Sequence, residues 1–142
     1  MADPTLIRTD QYLAHPPRKV WRALTDPDLL ARWLMPGDFK PVVGHRFTFR
    51  TEPRPNRGFD GVVHCEVLDL EPERLMRISW CGGGLDTTVT WTLEAEGRGT
   101  RLLLEHAGFD PDDPIQQSTY VILDGGWRSH VLSRMEKVLA DA

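Results

Sequence analysis

The chain has 142 residues, 40% of them hydrophobic and 27% charged, and a formal net charge of -4; that is the size and make-up of one globular domain, residues 1–142, with a proper core. No Lys/Arg cluster is long enough to track phosphates, which argues against nucleic acid as a partner. No apolar run approaches the length of a membrane span, and Met1-Ala2-Asp3-Pro4 lacks the basic and apolar regions of a signal peptide, so the expected compartment is cytoplasmic.

Thr5–Tyr12 reads as a first strand. His15-Pro16-Pro17 ends it and opens a helix, Pro17–Leu24, with Val20, Ala23 and Leu24 as its apolar stripe. Thr25-Asp26-Pro27 repeats the cap-plus-proline signal and starts a second short helix that runs to Trp33, before Pro36-Gly37. Strands follow. Gly44–Thr51 puts Phe47 and Phe49 on one face. Glu52–Arg57 reads as a loop, then Gly58–Leu70 as a long strand with Val63, Cys65 and Val67 together. Glu71-Pro72-Glu73 is a tight turn, and Leu75–Trp80 returns with Met76, Ile78 and Trp80 on one side. After Gly82-Gly83-Gly84, Leu85–Ala95 alternates Val89, Trp91 and Leu93 against threonines. Gly97-Arg98-Gly99 turns again, and Thr100–His106 groups Leu102, Leu104 and His106.

The stretch Ile115–Leu139 is the organising element. Asp113 can cap its first N–H groups and Pro114 suits a first helical position. At 100° per residue, Tyr120, Val121, Trp127, Val131, Leu132, Met135, Val138 and Leu139 share one broad face, on a helix of roughly 37 Å. Gln117 and Asp124 lie on that face too, with Arg128 at its margin. These positions suggest a seal at the C-terminal end and a roomier, partly polar space under the N-terminal half; equally, Asp124 can simply pair with Arg128 at i, i+4. Gly125-Gly126 interrupts the middle, and close approach of helix to sheet is its expected role. A kink there would change the helix phase. The order strand, two helices, five strands, long helix gives an α+β fold: a six-stranded antiparallel sheet curved around one helix.

Several segments carry a resemblance. They are Val20-Trp21-Arg22-Ala23-Leu24-Thr25-Asp26-Pro27 with Ala31-Arg32-Trp33, and Val43-Gly44 before Phe47-Thr48-Phe49. Glu73-Arg74-Leu75 with Ser79-Trp80 follows, then Gly99-Thr100-Arg101-Leu102, His106-Ala107-Gly108-Phe109 and Gly126-Trp127. In this order the chain resembles the heat-shock protein 90 ATPase activator homologue-like family, of the START-like or birch-pollen-allergen-like (SRPBCC) superfamily. The resemblance implies the helix-grip fold over nearly the whole chain. It brings no universal catalytic set. His45 stands where relatives often have a second glycine, and Leu34 where they often have a second aromatic, so ligand type does not carry over.

The chemistry of the residues is sparse. Cys65 and Cys81 are not CxxC and are expected to be free thiols. His15, His45, His64, His106 and His130 show no metal-ligand spacing, and no metal or cofactor is expected. Gly82-Gly83-Gly84 leads into a strand, unlike a phosphate loop. His106 is expected to be satisfied by a backbone group and to help close the core. The aromatic lining is more suggestive. The expected ligand site comprises Trp33, Phe47, Phe49, Cys65, Ile78, Trp80, Trp91, Leu104, His106, Gln117, Tyr120, Asp124 and Trp127, with no catalytic residue assigned. The expected function is binding of a small, largely apolar or aromatic molecule between sheet and long helix. The alternatives are a polyketide-cyclase-like enzyme using the same cavity, or a chaperone ATPase-regulating module.

Overall fold

Residues 4–141 of a computed structural model are described here, the side chains of Arg57 and His130 excepted. The strands are β1 (Leu6–Leu13), β2 (Arg46–Arg50), β3 (Val62–Glu71), β4 (Leu75–Gly82), β5 (Leu85–Glu96) and β6 (Gly99–Ala107). They form one antiparallel six-stranded sheet in the order β1-β6-β5-β4-β3-β2. This is the helix-grip α+β fold expected from the sequence. Hairpins join β3 to β6 in series, and β1 closes onto β6 through the pairs Leu6–Ala107 to Leu13–Thr100. Alternation decides which face is inward: Val89, Trp91 and Leu93 of β5 are buried, while the threonines between them are half-buried.

Two short helices, α1 (Pro17–Thr25) and α2 (Pro27–Trp33), follow β1. Asp26 separates them, and its carboxylate accepts the Asp28 N–H at 2.9 Å. Each then places its apolar stripe inward: Val20, Ala23 and Leu24, then Leu29, Leu30 and Trp33. The segment after α2 covers the edge strand β2. Arg50 N–H donates to Pro36 O at 3.0 Å and Thr48 N–H to the Asp38 carboxylate at 2.9 Å, so that edge is not left open.

The largest shift of a strand start from the sequence reading is at β3. β3 starts at Val62 and not at Gly58, because Gly58 (φ 67°) and Gly61 (φ 85°) take left-handed conformations that break a strand. A 3-10 turn, Pro55–Arg57, occupies the loop before them.

The C-terminal helix has three parts: α3 (Pro114–Gly125), a π turn (Gly126–Val131) and α4 (Leu132–Asp141). The α4 face of Met135, Val138 and Leu139 is buried, and α4 packs against α1 and α2. α3 has no buried residue at all.

Candidate functional site

α3 is held at its ends by polar groups. Asp113 caps it, accepting the Ile115 N–H at 2.9 Å and the Gln116 N–H at 3.3 Å. The Gln116 amide accepts from Asp110 N–H at 2.8 Å and donates to Gly84 O at 3.1 Å, tying the helix start to the β4–β5 turn. Gln117 donates to Pro4 O and Asp110 O, and the Tyr120 hydroxyl donates to Leu6 O at 2.9 Å. Past the helix end, Trp127 is buried and bonded to the sheet. Along its length Tyr120 and Leu123 pack only partly against the core, Tyr120 meeting Phe109 edge-on at 5.2 Å, and no α3 residue is fully buried, which leaves a gap beneath the helix.

A cavity of about 280 Å³ fills that gap. Val63, Trp80 and Leu85 of the sheet line it, with Met35 from beyond α2 and Phe59 from the β2–β3 loop. Thr119, Ile122 and Leu123 form the roof, and Thr51, Glu52 and Arg54 the polar rim. Gly82-Gly83 shape one wall. A Cβ on Gly83 (φ 58°) would come within 3.1 Å of the Phe59 Cβ, so glycine here lets Phe59 seat on the hairpin. A second cavity of about 160 Å³ adjoins, lined by Leu34, Met35, Trp80, Leu123, Gly126, Trp127 and Val131. Met35, Trp80 and Leu123 border both.

Beside these cavities lies a buried hydrogen-bonded chain. Trp127 Nε1–H donates to His106 Nδ1 at 3.1 Å. His106 Nε2 is 2.8 Å from Thr87 Oγ1, which donates its own proton to Trp80 O at 2.7 Å. Indole can only donate and the hydroxyl proton is already used, so His106 is the neutral Nε2–H tautomer. Burial alone pushes its pKa down to about 3. A hydroxyl and an indole satisfy this histidine, where a backbone group was expected.

The expected site residues distribute unevenly. Trp80 lines the main cavity, and Trp80 and Trp127 the second. Trp33 is core: its Nε1–H donates to Ala23 O at 2.8 Å and its ring meets Trp91 edge-on at 6.4 Å. Phe47, Phe49, Cys65, Ile78, Trp91 and Leu104 are buried in the same core, with Phe49 behind Trp80 at 5.9 Å. Gln117 and Tyr120 serve as tethers, and Asp124 accepts from Arg128 at 2.9 Å. Sequence reasoning missed Met35, Phe59, Val63, Leu85, Thr119, Ile122 and Leu123, together with the rim. The available signal was Met35, a large apolar residue just past the second short helix with no strand or helix face to fill.

Two further expectations are corrected. Val121 is not on the inward face; it is 69% exposed, because the π turn rotates α3 relative to α4. Gly125 and Gly126 do not serve close approach, since a Cβ on either would meet nothing within 4 Å. Gly126 instead borders the second cavity. Both cysteines are free, as expected. Cys81 pairs with His64 across the strands and turns its sulfur to Asp86 at 3.5 Å. Burial pushes the Cys65 thiol up, which makes it inert. Among the described residues no group of three or more His, Cys, Asp or Glu could hold a metal ion, and no helix is long and apolar enough to cross a membrane.

A curved sheet gripping a long helix over an internal space defines a START-like protein. Residues 14–140 match the family described as Activator of Hsp90 ATPase homolog 1-like protein, and the chain belongs to that family. Among solved structures it is similar to protein MLL2253 from Mesorhizobium loti, with 35% identity over 96% of this chain and 98% of that one, at a TM-score of 0.85. CalU16 from Micromonospora echinospora is 28% identical over 94% of this chain and 75% of its own, at a TM-score of 0.75. The Aha1 protein from Colwellia psychrerythraea, solved as a dimer, shares the fold at 20% identity and a TM-score of 0.76, over 94% of this chain and 95% of its own. No curated protein matches the chain.

Proposed function

We propose that this protein binds a small, largely apolar molecule in the cavity beneath α3. One observation carries the reading: a space of about 280 Å³ with mostly apolar walls, under a helix that buries no residue. The space opens at its polar rim, so water wets apolar wall that a ligand would cover, and removing such surface from water is favourable. It lies near the lower end of ligand-pocket volumes. Trp80 lies in its wall and Trp127 in that of its neighbour, so both are proposed as contacts.

The ionisable side chains that line the main cavity are Glu52, Arg54 and Cys81. Glu52 is exposed at the rim, and burial and then Asp86 push the Cys81 thiol up. None is poised as an acid or base inside, which favours holding a ligand over the cyclase-like enzyme reading. A chaperone-contact role rests on the family description alone.

Calorimetric titration with apolar aromatic and aliphatic probes tests the proposal. Thr119→Trp, which fills the roof, should abolish or weaken binding at least tenfold and leave the fold intact. If no probe binds, and Thr119→Trp destabilises by the ~1–3 kcal/mol of an overpacked core, the space is not a ligand site.

A further inference from the structure

We infer that the ligand is a small amphipathic anion, a monocarboxylate whose chain lies against Phe59, Trp80 and Leu123 and whose carboxylate meets Arg54. This rests on the binding reading above and adds the ligand's charge and polarity.

The cavity is polar at one side. Thr51, Glu52 and Arg54 come from a single loop, while Met35, Phe59, Val63, Trp80, Leu85 and Leu123 make the rest mostly apolar. A ligand that matches this has one polar end, placed at that loop. Arg54 is held there by its backbone. Its N–H donates to Phe59 O at 2.8 Å and its carbonyl accepts the Phe59 N–H at 3.1 Å. The base of the arginine is therefore fixed beside the aromatic ring that walls the cavity. Its guanidinium has one loose ion partner among the described residues, Glu52 at 3.5 Å, with both side chains exposed. A pair of that kind contributes little and leaves most of the five donors of the fork unused. A planar carboxylate is the group that fits such a fork in a bidentate way. An ammonium in the same place would face the guanidinium, while Glu52, the one acidic residue of the lining, is already turned to Arg54.

Size agrees. At ~30 Å³ for each water-sized atom, the cavity holds about nine such atoms. That suits an acyl chain of about eight carbons with its headgroup partly outside.

The test is isothermal titration calorimetry of the full chain with octanoate, octanol and octylamine at low salt. Octanoate should bind about five- to tenfold more tightly than octanol, and octylamine least tightly. High salt should shrink the octanoate advantage. Arg54→Gln should lower octanoate affinity to the level of octanol. Affinity along the carboxylate series should rise roughly fourfold per methylene up to about eight carbons and then stop rising. If octanol equals octanoate in the unsubstituted protein, or Arg54→Gln keeps the preference, the anionic assignment is wrong while cavity binding stands. If none of the three binds, and aromatic probes do not bind either, both readings fall.

Discussion

The two halves of the C-terminal helix do different work. α4 buries Met135, Val138 and Leu139 against α1 and α2; α3 buries nothing and is tethered by Gln116, Gln117 and Tyr120. Their difference in phase shows most plainly in Val121 and Leu139. Eighteen residues, about five α-helical turns, separate them, so on a straight helix they would share one angle. Val121 is 69% exposed and Leu139 is 0% exposed. The π turn between them accounts for this. Its wider winding lags behind an α-helix, which moves Val121 out and brings Leu123 in as roof. Ser129 Oγ donates to Gly125 O at 2.6 Å, which partners a carbonyl at the start of that turn. One continuous helix thus seals the core at one end and spans a cavity at the other.

Truncation should break this symmetry of sequence most clearly. Met135→Ala removes a fully buried side chain and should cost about 2–5 kcal/mol. Leu123→Ala removes a half-buried side chain that already faces open space, and should cost less than about 1 kcal/mol, since no new close-packed cavity forms. Urea melts of both variants measure the contrast. Equal losses would mean that α3 is packed like α4 and that the cavity is closed.

Much of the fold was legible because local signals agreed with one another. Period-two alternation in β5 and β6, the Asp26-Pro27 and Asp113-Pro114 caps, and the glycine turns each specify one element. The site was less legible, for two physical reasons. A uniform winding through Gly125-Gly126 places Val121 inward and leaves Leu123 out, and the π turn breaks that uniformity. Inward alternation also groups the aromatics as one lining, because it does not distinguish a side chain that faces another side chain from one that faces space. Trp91 meets Trp33 and Trp127; Trp80, on the neighbouring strand, meets the cavities. Phe59 escaped because its loop reads as the start of a strand.

The join between the two halves should respond to acid. His106 is surrounded by Trp80, Phe109 and Trp127, with no charged partner bonded to its ring. Its pKa is about 3 folded and about 6.5 unfolded. Between those values the unfolded chain binds the proton and the folded one does not. The stabilisation is therefore complete above pH 6.5 and is lost as pH falls toward 3. By linkage, about 2 kcal/mol should disappear between pH 7.5 and 5. His106→Gln does not titrate there. The stability gap between it and the unsubstituted protein, from melts at both values, should narrow by that amount. A constant gap would show that the ring protonates in place, which the Trp127 N–H forbids in this geometry.

The smallest expected effect concerns Asp124, at the C-terminal end of α3. Its carboxylate is not part of either cavity lining; it accepts from Arg128 at 2.9 Å, in an i, i+4 pair with both side chains partly exposed. Such pairs contribute a few tenths of a kcal/mol and are screened by salt. Asp124→Ala should therefore lower stability by about 0.3–0.5 kcal/mol at low salt and by less at high salt. It should leave the octanoate affinity and the octanol affinity each unchanged, because Asp124 lines neither cavity. The same titrations that test Arg54 decide this. A selective change for one ligand would move Asp124 from the helix surface into the site, and would require α3 to turn by about one residue, 100°, toward the phase of α4.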